Sequence, residues 1–171
     1  MPVTYELLLH VPEQLLSQWS EATFTESHLV PESAESLKEK VVAAAVARDG
    51  ARAVGFAGLL LARTRDGHPV QWAGRPVVEL GGAFTQAVYR RQGIWLELVN
   101  MRLAHAKEQD WCVVCISGNP AVQDGLRDLG ATAITDARYP GLCHELCLSC
   151  VAASGCKFCP KSPGTAWIIG V

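Results

Sequence analysis

Two apolar runs, Val41 to Arg48 and Ala53 to Ala62, meet around Asp49-Gly50. Asp-Gly between apolar segments is a strong hairpin signal, because a tight turn between paired strands needs positive φ. VVAAAVA by itself fits a helix or a strand equally well, and the turn is what makes it read as a strand paired with Ala53 to Ala62. A second turn, RTRDGHP, closes that run, and RPVVELGGAFTQ follows Gly74 as a further apolar strand. An antiparallel meander of three strands is expected.

The segments around this meander read as alternating strands and helices. VTYELLLH has the pattern of a first strand, and PEQLLSQWSEATF of a helix opened by Pro12, with Leu15, Leu16 and Trp19 on one face. PESAESLKEK opens a second helix in the same way. From Gly93, IWLELVNMRLAHAKEQ carries Ile94, Leu98, Met101 and His105 at helical spacing without a Gly or Pro. WCVVCIS is a short buried strand, AVQDGLRDLG a short helix ending at Gly130, and TAWIIGV a last strand. Strand, helix, strand, helix in this order predicts a crossover between parallel neighbours.

Composition narrows the function classes. At 171 residues with 49% apolar residues, the chain is the size of one domain with a sizeable core, and a single domain over residues 1–171 is expected. A formal net charge of -2 provides no basic field for nucleic acid. MPVTYELLLHVPEQ has neither a charged leader nor a long apolar run, so a soluble, cytoplasmic protein with no membrane partner is expected.

Between the third strand of the meander and the long helix lies AFTQAVYRRQGIW. A helix start offers exposed backbone N–H groups and the positive end of a dipole, which together attract anions. Arg90 and Arg91 add charge there, and Gly93 lets the backbone approach a phosphate closely. A surface turn with two solvated arginines fits the same residues.

ELGGAFTQAVYRRQGIW, the helix after it, WCVVCIS and NPAVQDGLRDLGA together resemble the core of the GNAT superfamily of N-acetyltransferases, whose pyrophosphate turn reads Gln/Arg-x-x-Gly-x-Gly/Ala. The resemblance covers about residues 41 to 135 and is most specific from Val88 to Ile94. It implies an α/β (α+β) fold with a central mixed, mostly antiparallel sheet, flanking helices and a splayed parallel strand pair. It also implies transfer of an acetyl or other short acyl group from acetyl-CoA to a small-molecule or peptide amine acceptor, and it is compatible with a homodimer. Phe84 and Thr85 are then expected at the pantetheine arm, Arg90, Arg91, Gln92, Gly93 and Ile94 at the phosphates, and Asn119 near the cofactor. Asn119 is equally suited to capping the helix that follows. Glu79, on the strand that often supplies the family's base, is the candidate to take the amine proton, and a place on a solvated strand face fits it as well. Trp95 stands where the pattern has Gly or Ala, and Leu126 where many members carry a tyrosine acid. A binding module without catalysis is the alternative these departures favour.

Seven cysteines remain to be placed. Cys112 and Cys115 lie in a predicted strand on opposite faces, where buried packing is expected for at least one. Cys147-x-x-Cys150 and Cys156-x-x-Cys159 form two metal-ligand knuckles in a loop at about 143–160, the pattern of a structural four-thiolate zinc site. Cys143 and His144 are alternative ligands, and an iron–sulfur cluster or free thiols use the same residues.

Overall fold

The chain turns at Gly50-Ala51, one residue later than the Asp-Gly dipeptide implies. β2 (Val41–Asp49) and β3 (Arg52–Leu61) pair antiparallel with Asp49 opposite Arg52, so the turn is Gly50-Ala51 and Gly50 takes a φ of 58°. Glycine at the first position of a two-residue turn gives a twist that suits the flanking strands. The computed structural model describes residues 2–26, 29, 31–64, 67–135, 138–139, 141–142, 146 and 166–170. β1 (Thr4–Leu8), α1 (Glu13–Thr25) and α2 (Ala34–Lys40) precede the hairpin. β4 (Gln71–Trp72), β5 (Arg75–Thr85), α3 (Ile94–Glu108), β6 (Cys112–Ile116), α4 (Pro120–Asp128), β7 (Thr132–Ala133) and β8 (Ala166–Ile169) follow it.

Among the described residues the strands form one sheet in the order β1-β2-β3-β5-β6-β8-β7, with β4 paired to β5. β5 and β6 are parallel, Val77 to Glu79 facing Cys112 to Val114, as a crossover through α3 requires. The pairs β1–β2, β2–β3, β4–β5, β6–β8 and β7–β8 are antiparallel. The expected mixed, mostly antiparallel sheet flanked by helices is borne out. β4 and β7 were not expected, each being two residues long. β4 enters β5 through Ala73-Gly74, both left-handed at φ 51° and 77°, and alanine at such a place carries no turn signal.

The chain forms two compact units. Met1–Leu60 and Leu80–His105 make the first, Leu61–Glu79 and Ala106–Val171 the second. In the first, every residue from Ala43 to Ala47 is fully buried, because α1 and α2 pack against Ala44, Val46 and Phe56 while α3 packs against Ala45, Ala47, Val54 and Ala57. Alternate side chains of a strand point to opposite faces, so a strand covered on both sides reads as the continuous apolar run VVAAAVA. In the second unit, Val77, Cys112, Val114 and Ile168 form a core with Val70, Ile134 and Tyr139. α4 is set by its ends: Asn119 Oδ1 accepts the N–H of Ala121 at 3.0 Å, Pro120 opens the first turn, and Gly130 at φ 77° ends it.

Candidate active site

β5 ends at Thr85, one 3-10 turn covers Ala87–Tyr89, and α3 begins at Ile94. Gly93 is left-handed at φ 77°, and its carbonyl accepts the N–H groups of Leu96 and Glu97 at 3.0 and 3.2 Å, which makes it the N-cap of α3. A glycine cap has no side-chain oxygen to serve the amides of the first turn. The N–H groups of Gly93, Ile94 and Trp95 accordingly donate to no acceptor among the described residues. Space is open where a Cβ of Gly93 would stand. Unserved amides at the positive end of a helix, here 15 residues long, attract anions.

The side chains around this turn mostly brace it. Arg90 donates through Nε to the Thr85 carbonyl at 2.9 Å and pairs with Glu26, at the C-terminal end of α1, at 2.8 Å. Gln92 Nε2 donates to the Val88 carbonyl at 3.2 Å. Arg91, left-handed at φ 63°, is exposed, and Ile94 is buried against Leu98 and Val54. Gln86 ties the end of β5 to β3 twice, N–H to the Val54 carbonyl and Nε2 to the Ala53 carbonyl, each at 2.9 Å. The Tyr89 hydroxyl donates to Asp49 Oδ2 at 2.7 Å, and this bond raises the phenol above its ordinary value, with burial second.

Phe84 is half-buried, its ring 5.3 Å from Phe56, whose ring is 5.4 Å from Trp19. A Cβ at Gly55 would lie 3.2 to 3.3 Å from Ile94, the Phe84 carbonyl and Thr85 Oγ1, so glycine there allows β3 to lie close under the start of the turn. Gly82 is left-handed at φ 57° inside β5, where a Cβ would lie 2.4 Å from Trp19 Nε1, so glycine there allows a close approach.

In the second unit Glu79 is half-buried on β5, opposite Val114 of β6. Asn119 spends its side-chain oxygen on the cap of α4, and its N–H donates to Ser117 Oγ at 3.2 Å. Cys112 and Cys115 are both buried; burial pushes the Cys112 thiol up, against a smaller opposing effect of Arg75.

By sequence alone the chain matches no family model and no curated protein. By structure it is similar to a Mycobacterium tuberculosis protein solved with CoA, at a TM-score of 0.64 and 15% identity over 100% of this chain and 99% of that one. A Streptococcus pneumoniae acetyltransferase of the GNAT family follows at 0.55 and 19%, over 81% and 92%. Neisseria gonorrhoeae N-acetylglutamate synthase, solved with coenzyme A and N-acetyl-glutamate, matches at 0.59 and 13%; 82% of this chain spans only 30% of that enzyme. The chain has the GNAT fold.

Two residues of the GNAT pattern that depart in this chain now have places. Leu126 is fully buried on α4, a core side chain, and Trp95 sits half-buried in the first turn of α3. The four cysteines of the expected zinc site, with Cys143 and His144, lie outside the described residues. Among the described residues no three His, Cys, Asp or Glu side chains gather as a metal site. No helix among them is long and apolar enough to cross a membrane. Sequence reasoning gave Tyr89 no role of its own and read Asp49 only as a turn former, so their hydrogen bond was missed.

Proposed function

We propose that this chain is an acyltransferase that moves an acetyl group from acetyl-CoA to an amine by direct transfer. The observation that carries the reading is the glycine-capped start of α3, whose N–H groups at Gly93, Ile94 and Trp95 are left for an anion. The GNAT fold, shared with proteins solved with CoA, supports the pyrophosphate as that anion. Arg90, Arg91, Gln92, Gly93 and Ile94 form the cradle in this reading. Arg91 supplies exposed charge, while Arg90 holds the turn to Glu26 and Thr85. Phe84 and Thr85 carry the pantetheine arm by their backbone; Asn119 is assigned to the cofactor only by the resemblance of its motif.

In the transfer, the amine nitrogen attacks the thioester carbon, the C–N bond forms, and the C–S bond breaks to release CoA. Glu79 is the group assigned to take the amine proton, directly or through a water. The acid that protonates the leaving thiolate is not assigned, since Leu126 has no proton to give. With acetyl-CoA and a panel of amines and N-terminal peptides, the wild type releases CoA and Glu79→Gln slows release by about 100-fold or more while CoA affinity holds. Equal turnover in the variant removes Glu79 from the mechanism.

The same reading gives Cys147, Cys150, Cys156 and Cys159 a structural zinc, supported by their spacing, and places the protein in the cytoplasm, where clustered thiols stay reduced. Elemental analysis of the purified chain is expected to find about one zinc per molecule, lost in Cys147→Ser/Cys150→Ser. Iron with visible absorption, or no metal, contradicts zinc.

A further inference from the structure

We propose that Glu26 is a positioning residue for the anion turn: it fixes the Arg90 guanidinium as a strut and so raises the affinity of the turn for a phosphate, although it is itself an anion. This role deepens the acyltransferase reading and rests on its assignment of the turn to CoA.

Arg90, Arg91 and Gln92 stand between the 3-10 turn and the N-cap Gly93. Their backbone has to be held if the amides of Gly93, Ile94 and Trp95 are to keep one direction. Gln92 bonds back to the Val88 carbonyl, inside the turn, and Arg91 is exposed in a left-handed conformation. Among the described residues, the side-chain hydrogen bond that ties this stretch to another helix is Arg90 Nη2 to Glu26 Oε1, at 2.8 Å. The same guanidinium donates through Nε to the Thr85 carbonyl at 2.9 Å. One rigid planar fork thus joins the end of β5, the turn and the end of α1. A guanidinium paired with a carboxylate contributes little net charge, so the part of Arg90 is to hold the loop.

Glu26 is itself held. As the C-cap of α1 it donates its N–H to the Ala22 carbonyl at 2.9 Å, and its carbonyl accepts the N–H of Leu29 at 3.0 Å. A backbone fixed on both sides presents the carboxylate with little further loss of conformational freedom. α1 cannot slide along the sheet, because Trp19 is fully buried against Gly58 and Gly82, where a Cβ would stand 2.1 and 2.4 Å from the indole. The helical path from Trp19 to Glu26 and the strand path from Gly82 to Thr85 each cover about 10 Å. The fit of Trp19 on Gly82 therefore brings Glu26 level with the end of β5, where Arg90 makes its second bond.

Electrostatics alone predicts the opposite effect on a ligand. A carboxylate beside an anion site repels the anion, so its removal tightens binding. With Glu26 as the strut's anchor, its removal weakens binding, and the sign separates the two.

Calorimetric titration of the full chain with CoA at one ionic strength tests this on the wild type, Glu26→Ala, Glu26→Gln, Arg90→Ala and the double variant Glu26→Ala/Arg90→Ala, each shown to be folded by circular dichroism. Glu26→Ala is expected to bind CoA about fivefold more weakly than the wild type, the upper range for an ion pair this exposed. Glu26→Gln, which still offers Arg90 an acceptor oxygen, recovers most of that and stays within about twofold of the wild type, on the weaker side. Arg90→Ala weakens binding by at least about fivefold, and on that background Glu26→Ala weakens it no further, since the two residues act as one unit. If Glu26→Ala does not fold, the sign of the change in Glu26→Gln decides. Equal or tighter CoA binding in the folded Glu26 variants, or losses that add in full in the double variant, overturns the strut while CoA binding by the wild type upholds the site. Failure of the wild type to bind CoA overturns the reading of the turn and the role of Glu26 with it.

Discussion

Tyr89 and Asp49 stand 40 residues apart in sequence, and their hydrogen bond joins the turn before α3 to the end of β2. The carboxylate accepts from the neutral phenol, so it favours the protonated form and raises the phenol above its ordinary value of 10.0. A group raised on folding lends stability that is fully present below the unfolded value and lost as pH rises through the folded one. Tyr89→Phe is therefore expected to unfold at lower urea than the wild type from pH 7 to 9, with the gap closing above about pH 10. A gap independent of pH means that the hydroxyl contributes nothing through Asp49. No spacing in the sequence links these residues, and Asp49 was legible only as a turn former. Gly93 and Arg91 could be placed at a helix start from the sequence, because glycine and charge there have a local meaning. The engagement of Arg90 with Glu26 was not, since it depends on where α1 ends.

At the level of the element, β5 shows how a strand's composition encodes its surroundings. Gly81 and Gly82 weaken a strand taken alone, yet a Cβ at Gly81 would strike Leu60 at 2.4 Å and one at Gly82 would strike Trp19. β3 has the same need at Gly58. Gly58→Ala is expected to cost about 1–3 kcal/mol by overpacking against the indole, measured as a lower midpoint in urea without loss of cooperativity. A neutral result means that the Trp19 ring is free to shift, and its fit to the strands is then loose. The periodicity of α3, the hairpin around Asp49-Gly50 and the run VVAAAVA were readable because each is written in adjacent residues. β4 and β7 were not, because two-residue strands carry no period and are fixed by their partners β5 and β8. Gly58 and Gly82 could be read as places of close approach, but what approaches them, Trp19 of α1, stands 39 and 63 residues earlier in the chain.

Across the whole molecule, each of the two units has its own core, and the strand order with one parallel pair is that of the GNAT fold. That fold is shared with proteins solved with CoA, and in this chain the helix after the turn is capped by Gly93, a residue with no side chain. The central claim is that the turn holds the pyrophosphate of acetyl-CoA. Calorimetric titration of the metal-replete protein with acetyl-CoA, wild type beside Gly93→Glu, tests it most directly. Glutamate at this place introduces a carboxylate into the cradle and a side chain at φ 77°, where an L residue is strained. The wild type is expected to bind and the variant, shown to be folded by circular dichroism, to lose at least about 100-fold in affinity, near 2.7 kcal/mol. Absence of binding in the folded wild type, or equal binding in Gly93→Glu, contradicts the account.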